Sequence, residues 1–387
     1  MQPSPYTPGE VAREVPGRAV PLAQIDERLA YLVDLQRLVG RIRVEVAPRG
    51  LGKTSLLRQA QRNAEARGAL TIWVTAGEDV GLIAAIGQEI HRRIDTWRAD
   101  ARKRLRAAID KLTVTVGVPG VAQVEAEWSA GRHSPGQGVR QFEEVVRETA
   151  QAARKEHRSG LVIFIDEIQA ADQHGLRTLG YAWQHLQSEG ADVPAAVFAA
   201  GLPNAPEVIG SVVTFSERFA YRPLDRLTDD AAMVALAGPA RAMGVQWDDD
   251  ALQAAVQHAQ GYPYTLQLLG DATWTAAGRP DPGGRLTAAH LGLAEAAIRD
   301  DLDALFRARW RKATAGEQEL MRAMAALGDG PVRRADVARQ LGTSSDQISV
   351  TRARLIDKGL VDTPARGELE FTVPGFAEFI RGLTGPA

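Results

Sequence analysis

Val44-Glu45-Val46-Ala47-Pro48-Arg49-Gly50-Leu51-Gly52-Lys53-Thr54-Ser55-Leu56-Leu57 decides the reading of this chain. Ile42, Val44 and Val46 alternate as a short buried strand does. The strand runs into a Gly-rich turn, and Leu56 and Leu57 then open a helical pattern. Pro48, Arg49, Gly50, Leu51, Gly52, Lys53, Thr54 and Ser55 form the second half of a phosphate-binding loop. In such a loop successive backbone N–H groups curl around the phosphates, which requires residues that tolerate positive φ and close approach. Lys53 is placed to reach the β- and γ-phosphates, and the Thr54 hydroxyl to complete a Mg²⁺ shell. The helix that follows points the positive end of its dipole at the same anion. The full pattern asks for Gly at position 47, where this chain has Ala47.

The rest of the chain supplies the frame. Its 387 residues suffice for two or three domains, each with its own core. An apolar fraction of 45% and a charged fraction of 24% are those of an ordinary globular protein. A net charge of −2 gives no overall electrostatic footprint for nucleic acid. There is no cysteine, hence no disulfide and no thiolate metal site, which fits a cytoplasmic setting. No apolar run is long enough to span a membrane, and the N-terminus lacks a basic-then-apolar export pattern.

In chain order, the Pro-rich residues 1–15 are expected to be loose. Val15-Pro16-Gly17-Arg18 then leads into a helix over Leu22–Leu38. This turn is where many phosphate-loop ATPases hold adenine, which makes Arg18 a nucleotide-contact candidate; a capped surface helix accounts for it equally well. Ala69–Val74 reads as a second strand and Leu82–Ile109 as a long helix. That helix ends in the basic cluster Arg98, Arg102, Lys103, Arg104 and Arg106, a solvated face in the simpler reading. Alternation over Leu112–Val116 and Val121–Trp128, around Gly117-Val118-Pro119-Gly120, predicts a hairpin insert at about 111–138.

Leu161-Val162-Ile163-Phe164-Ile165-Asp166-Glu167 is the second anchor. A continuous apolar run is a strand buried on both faces, as a parallel sheet requires. Beside a phosphate loop, Asp166 is suited to hold Mg²⁺ through its water shell and Glu167 to polarise the attacking water. A mere binder has no use for the second acid. A further strand, Ala195–Ala200, ends in Gly201-Leu202-Pro203-Asn204. Asn204 is either a γ-phosphate sensor or part of an ordinary turn. Arg218, just before a short strand at Ala220–Arg222, is either an arginine finger toward a neighbouring subunit's γ-phosphate or the partner of Glu217 or Asp225.

From Asp225 the pattern is helical only. Leu227-Thr228-Asp229-Asp230 is an N-cap signature opening Ala231–Met243. Helices over Asp249–Ala259, Thr265–Thr275 and Ala288–Trp310 follow, the third introduced by Gly261-Tyr262-Pro263-Tyr264. Residues 315–387 read as a winged helix-turn-helix: helices over Gly316–Ala326, Arg334–Leu341 and Ser345–Lys358, then two strands, Gly359–Asp362 and Glu368–Val373. The exposed positions of its third helix are expected to include Ser345, Gln347, Ser349, Thr351, Arg352 and Arg354. Nine Lys/Arg against ten Asp/Glu in this segment make a poor electrostatic match to DNA.

Together, Pro-Arg-Gly-Leu-Gly-Lys-Thr, Phe-Ile-Asp-Glu-Ile-Gln, Ala-Gly-Leu-Pro-Asn, Ser-Glu-Arg-Phe and Gly-Tyr-Pro-Tyr-Thr-Leu-Gln resemble the AAA+/STAND-type ATPases, relatives of the origin-recognition replication initiators. The resemblance runs from about Val15 to Phe379. It implies an α/β P-loop NTPase core with a parallel sheet over residues 1–224, a helical lid over 225–314 and a winged helix-turn-helix domain over 315–387. ATP and Mg²⁺ are the implied ligands, and Gly261-Tyr262-Pro263 resembles the lid motif that contacts the nucleotide. No Arg occurs in Tyr264–Gly270, where replication initiators carry a sensing one. Three readings follow: an ATP-hydrolysing switch that moves the lid and winged domain, an initiator or helper ATPase on double-stranded DNA, and a module that keeps nucleotide as a structural ligand. Glu167 argues against the last. Nucleotide-dependent self-assembly and a protein partner stay open.

Overall fold

The computed structural model describes residues 1–77, 80–95, 97, 99–116, 136–365 and 367–384. The chain forms two compact units. One spans Ala19–Val46 and Lys53–Pro223; the other gathers Met1–Arg18, Ala47–Gly52 and the chain from Leu224 onward.

The first unit runs α1 (Ala19–Leu35), β1 (Arg43–Val46), α2 (Lys53–Ala66), β2 (Leu70–Thr75), α3 (Leu82–Arg93), α4 (Ala99–Val116), α5 (Gln137–Lys155), β3 (Leu161–Asp166), α6 (Gln173–Glu189), β4 (Ala195–Gly201), α7 (Ala205–Val212) and β5 (Ala220–Pro223). Its five strands are parallel, in the order β2-β3-β4-β1-β5. Every residue of β3 and β4 is buried, which is why both read as unbroken apolar runs. Alternate residues of β3 serve two layers. Val162 and Phe164 pack with Ile25, Leu29, Leu57 and Ala60 from α1 and α2. Ile163 and Ile165 pack with Phe142 and Val145 of α5 and Leu176 and Leu179 of α6. Helices therefore cover both faces, the doubly covered parallel sheet expected of a P-loop core.

Two expectations fail here. The single helix over Leu82–Ile109 is two helices, because Ile94 ends α3 with its N–H on the Ile90 carbonyl and is itself buried. The break lets α4 fold back, so that Leu105, Ala108, Ile109 and Leu112 reach the same core as Ile83, Ile86 and Ile90. That spacing is helical, and it overrides the strand alternation read at Leu112–Val116, which closes α4 instead of opening a hairpin. The remainder of the expected insert, 117–135, lies outside the described residues.

The second unit opens with residues that pack instead of dangling. Tyr6 is buried; its hydroxyl donates to the Leu236 carbonyl at 2.6 Å and accepts from Trp247 Nε1 at 2.9 Å. A buried aromatic anchored at its polar end outweighs the Pro-rich composition around it. From Leu224 follow α8 (Asp229–Ala242), β6 (Gln246–Trp247), α9 (Asp249–Ala259), α10 (Pro263–Ala276), β7 (Arg285–Leu286), α11 (Ala288–Arg311), α12 (Ala315–Leu327), β8 (Val332–Arg333), α13 (Arg334–Gln340), α14 (Ser349–Asp357), β9 (Val361–Asp362), β10 (Glu368–Phe371) and α15 (Phe376–Thr384). Thr228 caps α8 as its sequence signature predicts, accepting from the Ala231 N–H. The core of α8–α11 is built on Leu236, Leu266, Leu269, Trp274 and Ile298 around Tyr6.

The C-terminal strands form one sheet in the order β8-β10-β9, so a third strand, β8, joins the expected pair. The third helix starts later than its sequence pattern suggests. The Gln347 carboxamide oxygen accepts the Ser344 N–H at 3.1 Å, a local bond that holds Ser345 and Gln347 in a turn ahead of α14. Ser349, Thr351, Arg352 and Arg354 do lie on α14. The closing helix α15 was not foreseen; Phe376 and Ile380 bury its apolar side.

Candidate nucleotide site

In the sheet unit, Lys53 opens α2 immediately after the loop, and its side chain is buried. Thr54 Oγ1 donates to Asp166 Oδ2 at 2.7 Å, so the loop hydroxyl and the acid at the end of β3 meet although 112 residues separate them. The other oxygen of Asp166 accepts the Glu167 N–H at 3.0 Å. Burial pushes the Asp166 carboxyl above the usual carboxylate range, and the Thr54 hydrogen bond opposes that shift. Among the described residues no group of three or more His, Cys, Asp or Glu is arranged to hold a metal ion. A divalent ion here would be held by Thr54 and Asp166, with phosphate and water completing its oxygen shell, which suits Mg²⁺. Ser55 is buried one residue further along α2.

Glu167 adopts left-handed backbone with φ of 54°, a conformation that costs a non-glycine residue about 1 kcal/mol. It sits where β3 gives way to a short turn over Ile168–Ala170. Its Oε2 accepts from Gln169 Nε2 at 2.5 Å. The Gln169 carboxamide oxygen in turn accepts the Leu202 N–H at 2.9 Å, beyond the end of β4. Gln169 is a site residue that sequence reasoning missed; the Asp-Glu-Ile-Gln spacing was visible, but not where the chain turns. Asn204 stands at the N-cap position of α7 yet makes no capping bond, and its Oδ1 is buried without a partner.

Arg218 is apart from this constellation in kind. It ends a short turn at Ser216–Arg218, is exposed, and lies with its guanidinium 5.9 Å from the Phe215 ring centre. The side chain of Glu217, one of its two expected partners, lies outside the described residues. The basic end of the old helical stretch is partly neutralised locally: Arg106 pairs with Asp95 at 2.7 Å and Arg102 donates to the Asp95 carbonyl, while Arg98 lies outside the described residues.

The loop residues Ala47–Gly52 belong with the second unit. Gly50 and Gly52 have φ of +87° and +83°, the conformation for which the motif keeps glycine. Ala47 is not among the positive-φ residues, so its methyl group, which is buried, brings no left-handed strain. Arg18 is buried and Nη2 donates to the Leu51 carbonyl at 3.0 Å, a brace on the loop. Tyr262 of Gly261-Tyr262-Pro263 donates its hydroxyl to the Arg49 carbonyl. Its ring stands so close to Gly50 that any Cβ there would be 2.7 Å from Cε1. The Tyr264 N–H reaches the Gly50 carbonyl at 3.3 Å, and Pro263 opens α10. Burial pushes the Tyr262 hydroxyl up to about 12, so it remains a donor at any physiological pH. Arg309, on α11, has Nη1 buried without a partner and lies in the electrostatic neighbourhood of Tyr262, Arg49 and Tyr264. It too was missed, because it lies 47 residues beyond Tyr262 and in a run of ordinary helical charges.

A phosphate loop after β1, an acid pair at the end of β3 and a parallel sheet in this order are the layout of a P-loop NTPase core. The comparisons with known proteins agree: residues 17–196 match the AAA ATPase domain family, and residues 303–380 match a family described as a domain of unknown function. Residues 17–196 are thus similar to an AAA ATPase domain, and the fold of the chain is similar to that of two solved structures. A Walker-type ATPase of Pyrococcus abyssi is similar at 12% identity and a TM-score of 0.61, over 98% of this chain and 99% of that one. The ADP form of the Aeropyrum pernix ORC2 protein is similar at 14% identity and a TM-score of 0.58, over 99% and 98%. No curated protein sequence matches. Among the described residues no helix is long and apolar enough to cross a membrane.

Proposed function

We propose that the chain is an ATP-hydrolysing switch of the STAND type, in which nucleotide state moves a lid (residues 225–314) and a winged-helix domain (315–387). The observation that carries this reading is the 2.7 Å bond from Thr54 to Asp166 with Glu167 as the next residue. Lys53 supplies a buried point charge to the β- and γ-phosphates, and the N–H groups of Arg49–Thr54 line their oxygens. Thr54 and Asp166 would hold Mg²⁺, which when bound neutralises charge on the phosphates. Glu167 orients and polarises the water that attacks the γ-phosphorus, and Asn204 donates to a γ-oxygen through its amide nitrogen. Arg218, exposed on the turn before β5, serves a second copy of the chain as an arginine finger.

The lid is coupled to the loop through Tyr262 and Tyr264, which bond to the Arg49 and Gly50 carbonyls. Reshaping of Arg49–Gly50 around phosphate is therefore felt at the start of α10. Arg226, at the head of the lid segment, pairs with Glu370 of β10 at 3.0 Å and passes movement to the C-terminal sheet. ATPase turnover measured with and without Mg²⁺, alongside the mass in each nucleotide state, tests the reading. Turnover that is metal-dependent and accompanied by a change in shape or mass supports it, and its absence at all protein concentrations sinks it.

A second reading, double-stranded DNA as partner, is favoured by one feature of the C-terminal segment. Arg333, Arg334, Arg352 and Ser345 line a cavity of about 700 Å³, and Arg352 Nε is buried in the protein without a hydrogen-bond partner. The segment is acidic overall, and Glu368 also lines the cavity while Arg334 pairs with Asp346 at 3.4 Å, yet three of its arginines meet there, as a phosphate-binding surface requires. Titration of duplex DNA at several salt concentrations tests this. A salt-independent or absent response removes it.

A further inference from the structure

Resting on the proposed hydrolysis, we infer that Gln169 is the positioning residue for Glu167, and that it ties the water-activating acid to the turn carrying Asn204. The argument starts from the two ends of one carboxamide. Its oxygen accepts the Leu202 N–H at 2.9 Å, and its nitrogen donates to Glu167 Oε2 at 2.5 Å. A backbone N–H only donates, so the oxygen must face Leu202 and the amide nitrogen must face the acid. The orientation of Gln169 is thereby fixed without reference to the acid.

Packing enforces the same placement. Gly201, the last residue of β4, leaves the space that Gln169 occupies: a Cβ there would stand 2.9 Å from Gln169 Oε1, 2.8 Å from Ala205 Cβ and 3.0 Å from Ile168 Cγ2. Ile168 is itself fully buried. Glu167 occupies left-handed backbone at this corner, so its side chain leaves the strand end in a direction that an extended residue would not give. A charge-assisted bond from a neutral donor holds it there without supplying a proton or a counter-charge. Leu202 and Asn204 belong to the same short turn between β4 and α7, with the Ala205 N–H on the Leu202 carbonyl. Contact of Asn204 with a γ-phosphate is therefore transmitted to the Leu202 N–H, through Gln169, to the carboxylate. Gln169 touches no reacting atom in this scheme; it acts through Glu167.

The test is a double-mutant cycle on the full-length chain with ATP and Mg²⁺. Gln169→Met keeps the side chain's length and removes both polar ends. Gln169→Glu keeps an acceptor for Leu202 but withdraws the donor from Glu167. Each should lower kcat by about tenfold to thirtyfold with KM within about threefold, since orientation of a general base and not ground-state binding is lost. In a Glu167→Gln background Gln169→Met should change the residual rate by less than about twofold, because the acid it positions is gone. The thermal unfolding midpoint of each variant shows whether the fold has survived. Kcat retained in a folded Gln169→Met protein while Glu167→Gln is inactive overturns this inference and leaves the ATPase reading standing. A further multiplicative loss in the double variant also overturns it, as the mark of a merely structural role. Turnover unaffected by Glu167→Gln overturns both.

Discussion

The loop end of β1 and the arginine-lined cavity at Arg333, Arg334 and Arg352 are both suited to phosphate, and they are made in opposite ways. In the first, polar groups sit at the mouth of a buried parallel sheet and satisfy one another: Thr54 with Asp166, Glu167 with Gln169, Gln169 with Leu202. In the second, guanidinium groups come from the end of β8, α13 and α14; Arg334 pairs with Asp346 at 3.4 Å and Arg352 Nε is left unpartnered. Preorganised backbone N–H groups bind an anion by geometry, so that a one-residue change is severe. Side-chain cations bind it by charge, so that each contributes a share and salt competes for all of them.

That contrast predicts a ranking of effects. Lys53→Ala should abolish nucleotide binding in a protein that still unfolds cooperatively, as calorimetry with ATP and a melting curve would show; tight ATP binding by this variant would break the comparison at its strongest point. Next, Glu167→Gln should bind ATP as the parent does while turnover falls by at least about a hundredfold. Survival of turnover within about threefold in a phosphate-release assay would remove Glu167 from its role.

Arg218→Ala should keep parental ATP affinity and lose about tenfold or more in turnover, with parental activity per subunit rising with protein concentration. Mixing Arg218→Ala with Glu167→Gln should then restore some activity, because interfaces with one intact copy of each residue form. A mixture as inactive as its components would make Arg218 an ordinary surface residue. At the cavity, Arg352→Ala should weaken duplex DNA binding by only about fivefold to tenfold and reduce the salt slope by about one. A salt slope unchanged by this variant would take the cavity out of any nucleic-acid role. The smallest effect belongs to Tyr262→Phe, which keeps the ring against Gly50 and removes one bond to the Arg49 carbonyl. Nucleotide affinity should drop by about threefold to fivefold, consistent with the loss of one neutral hydrogen bond. An unchanged affinity would show that the ring alone shapes the loop.

The features governed by local rules can be read from short stretches of the chain. Gly50, Gly52, Lys53 and Thr54 are legible because positive φ and phosphate charge demand those residue types at that spacing. β3 is legible because a strand buried on both faces has no room for polar alternation. The Thr228 cap at α8 is likewise written in four consecutive residues. Tertiary structure alone decided what depends on distant partners. Leu112–Val116 alternates like a strand, yet it closes α4 because Leu112 shares a core with Ile86 and Ile109. Tyr6 lies in a Pro-rich segment, yet Leu236 and Trp247 fix it. Gln169 and Arg309 carry no motif of their own: Gln169 bonds Leu202, 33 residues ahead, and Arg309 has Nη1 buried unpaired in the electrostatic neighbourhood of Tyr262 and Arg49. Local sequence fixes backbone conformation and residue chemistry, whereas the unmet or shared hydrogen bond that makes a side chain functional exists only once the chain has closed on itself.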